Sequence, residues 1–246
     1  MPPAGALIFK LEQTFFRANL DYGPVLSLIG RDQPGALGKQ SARGLATAML
    51  ELKKKLGKED YQQLKVKAEA AADKLENEAL EAAEMHPGAV KMLEAVRDTG
   101  WWVVAASDLG KKPIAAFLKS RALRQYMNMV VARSRLDEER VLSKSLRPVQ
   151  TKLKTLANSV YFCNSSREVV EAKTLGMKCF VLPSHVEPFR ALYQVGPNGI
   201  LLSLNEIPTL LSLPNMKLPV QAKPEVEKKS RRGMKKVAAG ITPKTP

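Results

Sequence analysis

The chain has 246 residues, 45% of them hydrophobic and 26% charged, enough for one substantial core and a smaller appended domain. No apolar run reaches the roughly 18 residues that a membrane span needs, and MPPAG at the start lacks the basic and apolar regions of a secretory signal. Two cysteines, Cys163 and Cys179, with no CxxC or Cys/His cluster, speak against a disulfide framework or a zinc site.

The expected location is therefore intracellular, cytoplasmic by default, with nucleus and organelle left open and no membrane partner. The net charge of +15 is unevenly spread. From residue 217 to 246 nine Lys/Arg stand against two Glu, giving +7 and leaving +8 for the remainder.

In chain order, residues 6–9 (ALIF) read as a buried strand. Some 75 residues without a convincing strand follow, containing SARGLATAMLELKKKLG and EDYQQLKVKAEAAADKLENEALEAAEM. In the second segment Tyr61, Leu64, Ala68, Ala71, Leu75 and Ala79 recur at spacings of three and four, an alanine-rich stripe on one long helix. A narrow stripe of small residues allows close packing, so a helical hairpin or small bundle over a sheet is expected. Pro87 ends this interval.

Residues 89–97 then predict a helix burying Val90, Leu93 and Val96 and stopping at Gly100. Residues 102–106 (WVVAA) predict a strand, 114–123 a helix burying Ile114, Phe117 and Leu118, and 128–131 a third strand. Residues 148–157 open with Pro in a first-turn position and bury Val149, Leu153 and Leu156. Strand 160–162, helix 167–175 ending at Gly176, and strand 178–182 complete the alternation. Strands apolar throughout, alternating with helices of about ten residues, indicate a doubly wound α/β parallel sheet covered on both faces.

The last segment is Pro- and Lys-rich, without apolar periodicity, and contains KKSRRGMKK; it is expected to be disordered when free. Lys228, Lys229, Arg231, Arg232, Lys235 and Lys236 are its candidate nucleic-acid contacts, since each neutralised phosphate releases counterions. RNA, a ribonucleoprotein or a protein partner are the partners this suggests; a solubilising or targeting extension is the alternative.

A first strand ending in K-x-E-x-T, an all-helical insertion directly after it, a second strand ending at Ser107, and a fourth running into CNSSREVVEAKTLGMKCFVL resemble the haloacid dehalogenase-like (HAD-like) hydrolase superfamily. The nearest outline is its helical-cap, phosphoglycolate-phosphatase-like branch. The resemblance spans residues 6–211, including NGILLSLNEIPTLL, which is similar to that branch's closing strand and helix. It implies a core of residues 1–16 and 86–213, a cap at 17–85 and a tail at 214–246.

In that superfamily the first motif is D-x-D-x-T, with a nucleophilic Asp and an acid/base Asp. Carried over residue by residue, the nucleophile position is Lys10, the acid/base position Glu12, and Thr14 is kept. Ser107, followed by Asp108, matches the residue that holds the phosphoryl group. Arg147 matches the third motif's cation better than Lys144 does. The fourth motif, whose acids hold magnesium, reads Cys163-Asn164-Ser165-Ser166-Arg167-Glu168. A lysine ammonium cannot form the aspartyl phosphate.

A site of the family type gathers four carboxylates, about −4, offset by a hard divalent cation. Here Lys10, Glu12, Asn164 and Glu168 sum to −1. At an effective dielectric near 20, a charge product at about 4 Å is worth roughly 4 kcal/mol, so a divalent ion beside Lys10 is disfavoured. No cofactor is expected; magnesium belongs only to an active phosphatase.

Three roles for Lys10 stay open. Its ammonium replaces the metal charge by pairing with Glu12 or Glu168; or it joins Ser107, Ser165, Ser166 and Lys111 in a residual anion site; or it belongs to a remodelled catalyst. Nearby acids raise a lysine pKa, which argues against a nucleophile. Lys111-Lys112, Arg133 and Arg135 follow strands two and three and read as a basic rim or as solvated charge. His86 reads as a domain-junction residue, His185 as a weak pocket candidate, and Trp101-Trp102 as packing. Two functions compete: a catalytically inactive interaction subunit, expected in a ribonucleoprotein or other large assembly, and a divergent phosphatase acting on small phosphomonoesters.

Overall fold

The parallel sheet is laid down around β1 (Ala6–Lys10), whose five residues are all buried. Alternation along it divides the core. Leu7 and Phe9 join one apolar cluster, and Ala6 and Ile8 the other, so helices must cover both faces. The computed structural model describes residues 5–30, 41–138, 141–183, 187–213 and 216. The basic segment with its candidate contacts, and His185, lie outside these.

After β1 come β2 (Phe16–Arg17), α1 (Gly23–Leu28), α2 (Ala42–Lys55), α3 (Lys58–Glu81) and β3 (Glu84–Met85). β2 and β3 pair antiparallel as a small ribbon of their own, Phe16 opposite Met85 and Arg17 opposite Glu84. Two-residue strands leave no period to read, which is why this interval looked strandless.

α4 (Ala89–Arg97), β4 (Trp102–Gly110), α5 (Lys111–Ser120), β5 (Met129–Arg133), α6 (Leu142–Ser145), α7 (Arg147–Leu153), β6 (Val160–Cys163), α8 (Ser166–Thr174), β7 (Lys178–Val181), α9 (Phe189–Gln194), β8 (Gly199–Ile200) and α10 (Ile207–Ser212) follow. The sheet order is β5-β4-β1-β6-β7-β8. Every pairing is parallel. β1 thus sits inside the sheet, its C-terminal end between those of β4 and β6, where open α/β sheets place their ligands.

Two helix faces differ from expectation. In α4 the buried side chains are Ala89, Met92, Leu93 and Val96. Val90 is exposed. In α3 they are Tyr61, Ala68, Ala72, Glu76 and Leu80. Leu64, Ala71 and Leu75 only flank that seam, which rotates the stripe by one residue and puts a carboxylate at its centre.

Candidate functional site

Aromatic packing fixes the end of β1 from below. Phe9 stacks on Phe162 of β6 at 4.7 Å and meets Phe15 edge-on at 5.1 Å. Leu11 N–H carries the ladder one residue further, to Ala106 C=O at 2.9 Å. The chain then turns through Gln13, at φ 66°. Buried Thr14 donates its hydroxyl to the Lys10 carbonyl. The K-x-E-x-T pattern is therefore a tight, side-chain-stitched turn that holds residues 10 and 12 over the sheet edge.

Lys10 is 8% exposed. Its Nζ lies 2.5 Å from Asp108 Oδ2, 3.4 Å from Glu168 Oε1 and 3.8 Å from Glu12 Oε2. Two of these partners, Glu12 and Glu168, were expected. The nearest, Asp108, was not counted, because β4 continues past Ala106 through a register irregularity to Gly110 and so delivers it to the site. One ammonium facing three carboxylates gives −2 for these four groups, against the −1 expected from sequence for its own set, and Arg43 of α2 lines the same cavity. Burial pulls the Lys10 pKa down, but Asp108, Glu12 and Glu168 together outweigh it and hold the proton on well above the ordinary lysine value. A permanently protonated amine has no lone pair with which to attack.

Glu12 is bound rather than poised. Its Oε1 accepts from Ser107 Oγ at 2.6 Å, Asp108 N at 2.7 Å and Leu109 N at 3.3 Å. The Ser107 hydroxyl, pointing at Glu12, also accepts from Leu109 N–H at 3.0 Å. The positions of acid/base and phosphoryl-holding residue thus bond to each other.

On the β6 side, Ser165 caps α8, accepting from Glu168 N–H and donating to Glu168 Oε2 at 2.9 Å. Glu187 accepts from Ser166 N–H, also at 2.9 Å. The helix terminus where an anion would bind already holds the protein's own carboxylates. Tyr161 closes the floor, its hydroxyl 3.3 Å from Glu168 Oε1. Asn164 is half-buried just after β6.

The cavity touching Lys10, Ser107, Asp108, Tyr161, Glu168 and Arg43 of α2 measures about 30 Å³. That is room for a water or two, far below the roughly 300 Å³ at which ligand pockets begin. Arg147, at the start of α7, is exposed and is not among its lining residues. Lys111 and Lys144 line a neighbouring cavity of about 310 Å³ together with Ser107. Arg133 is not part of a solvated rim: it is 5% exposed and paired with Glu76 of α3. Sequence reading missed Glu76 altogether. His86 stands where β3 returns to the core, its N–H on Phe15 C=O at 2.8 Å; burial, then the Arg17 charge, lower its pKa.

The Lys10 ammonium competes with a divalent metal for these residues. The carboxylates that would ligate it, Glu12, Asp108 and Glu168, converge within 4 Å of the Lys10 ammonium, which fills the place between them with like charge. The Lys10 charge alone would repel a divalent cation about 4 Å away by on the order of 8 kcal/mol at an effective dielectric near 20, which works against the attraction of the three carboxylates.

No family model and no curated protein matches the chain. Solved structures do. A predicted phosphatase from Clostridium acetobutylicum superposes with a TM-score of 0.63 at 16% identity, covering 85% of this chain and 99% of that one. A haloacid dehalogenase-like hydrolase family protein from Streptococcus pneumoniae gives 0.60 at 13%, covering 84% and 98%. A predicted phosphoglycolate phosphatase from Haemophilus somnus gives 0.60 at 15%, again covering 84% and 98%. At such identities a likeness carries architecture only, since one fold hosts many functions. The chain has the fold of the haloacid dehalogenase-like hydrolases.

Proposed function

We propose that this chain is a hydrolase-fold protein that works by binding, its phosphoryl-transfer centre converted into a structural ion cluster. One observation carries the reading: the Lys10 ammonium at the nucleophile position, 2.5 to 3.8 Å from three carboxylates. The three bonds to Glu12 Oε1 and the 30 Å³ cavity support it. The cluster replaces metal charge with ammonium charge, removes nucleophile and acid/base together, and leaves little space beside Lys10 itself. The basic segment at residues 217–246, with Lys228, Lys229, Arg231, Arg232, Lys235 and Lys236, supplies contacts to RNA or a ribonucleoprotein under this reading.

The second reading, a divergent phosphatase, is favoured by the fold, whose neighbours include predicted phosphatases. Turnover separates the two. With magnesium and small phosphomonoesters the protein is expected to show no rate above background. Lys10→Asp alone is expected to stay inactive, because Glu12 remains tied to Ser107 and Asn164 supplies no carboxylate. Turnover lost on Glu12→Gln would establish the phosphatase instead.

RNA binding has its own measurement. Affinity for single-stranded RNA is expected to fall steeply between 50 and 200 mM salt, as phosphate-backbone contacts do, and to weaken on truncation after Leu213. A flat salt response removes RNA as the partner.

A further inference from the structure

We propose that the helical insertion is not a lid but a fixed buttress, locked to the core by buried ionic ties that run in both directions across the junction. A hydrolase whose reacting groups are enclosed must open to admit substrate; this junction is built to stay shut.

The first tie runs from insertion to core. Glu76, in the last third of α3, is fully buried. It accepts from Gly110 N–H at 2.6 Å, at the start of α5, and pairs with Arg133 at the end of β5. Tyr22, itself 1% exposed, donates to the same carboxylate at 2.7 Å. Burial pushes the Glu76 carboxyl up, and Arg133 and the Gly110 and Tyr22 donors pull it only part of the way back. At Gly110 the two parts pack tightly. A Cβ there would lie 2.8 Å from Asp73 Oδ1 and 3.1 Å from Glu76 Oε2, so a larger residue would push the Asp73 carboxylate aside and crowd the buried Glu76.

The second tie runs the opposite way. Asp137, on the core segment after β5 and 4% exposed, accepts from Lys53 of α2 at 3.1 Å and forms an ion pair with Lys65 of α3 at 3.0 Å. Burial pushes its carboxyl up, but the bonds from Lys65 and Lys53 outweigh that and hold the pKa at about 2, so the tie is charged at every physiological pH. A third contact closes the far end of α3. Arg121, just past α5, donates to the Glu81 and Ala83 carbonyls, both at 3.3 Å.

Opening the insertion would strand Glu76, Arg133 and Asp137 without their partners at once, a cost that a reversible hinge avoids. The insertion and core then present one continuous outer surface of fixed shape.

The test is pulsed electron–electron spectroscopy on the full chain carrying nitroxides at Lys67→Cys on α3 and Gln150→Cys on α7, both exposed sites. Cys163 and Cys179 are fully buried and stay unlabelled. The expected result is one narrow distance distribution, unchanged by millimolar phosphate with magnesium. A second population, or a shifted mean on adding them, overturns the proposal. In the same background Gly110→Ala is expected to broaden or shift the distribution, and Arg121→Ala, which removes only the exposed contact, to do so less. A Gly110→Ala distribution superimposable on the parent also overturns it. Should Gly110→Ala fail to fold, the parent measurement and Arg121→Ala decide alone.

Discussion

Lys10→Met is expected to destabilise the protein by about 3–5 kcal/mol at pH 7, the cost of leaving buried charge without its partner, seen as a fall in the urea midpoint on the order of 1–2 M. The substitution keeps the length of the side chain and removes only the ammonium that Asp108, Glu12 and Glu168 surround. Three acids crowded at a sheet edge without the Lys10 ammonium then repel one another. The sign of the pH response follows. Lys10 is held protonated above its ordinary value, so its contribution is fully present below that value and the deficit is expected to stay constant between about pH 7 and 9. A variant as stable as the parent at pH 7 would mean that Lys10 does not hold the cluster together, and with it the binding reading would lose its main support.

The second large effect belongs to Arg133→Met, also about 3–5 kcal/mol. Glu76 is fully buried, and loss of the guanidinium leaves its carboxylate only the Gly110 amide and the Tyr22 hydroxyl. Glu76→Gln in the same chain removes the stranded charge while its one carbonyl oxygen still accepts from the Gly110 amide, and the Tyr22 hydroxyl turns to accept from the new NH2. The double variant is therefore expected to be more stable than Arg133→Met alone, a coupling of roughly 1–3 kcal/mol in a double-mutant cycle. Additive losses would show that the pair acts as two separate polar groups and not as one tie. Against a typical total of about 5–15 kcal/mol, either single change removes a large share of the stability.

These two residues also show what was legible beforehand. β1, β4, β6, β7 and the helices between them announce themselves through apolar runs and 3.6-residue periods, because burial against the sheet is repeated at every turn. The unusual first motif was legible for a different reason: Lys10, Glu12 and Thr14 are adjacent in sequence, and their turn is a local structure. Glu76 was not legible. By hydropathy it belongs on the wet side of α3, and its burial makes sense only with Arg133, 57 residues away. Asp108 was hidden by geometry, since an irregular stretch of β4 breaks the strict alternation that a sequence reading assumes. Arg147 shows the converse: a motif match placed it at the site, whereas its position at the first turn of α7 leaves it in solvent.

The ribbon of β2 and β3 bears on how such a protein could change. Because Phe16 pairs with Met85 and Arg17 with Glu84, the insertion leaves and re-enters the core at points about 5 Å apart. Excising it would ask a short linker to span almost nothing, and closing so small a gap costs little chain entropy. In connectivity the insertion is a detachable cassette; in chemistry it is grafted, because Glu76 would leave Arg133 behind and Asp137 would lose both of its lysines. Evolution could exchange this cassette only by rewriting the core residues that grip it.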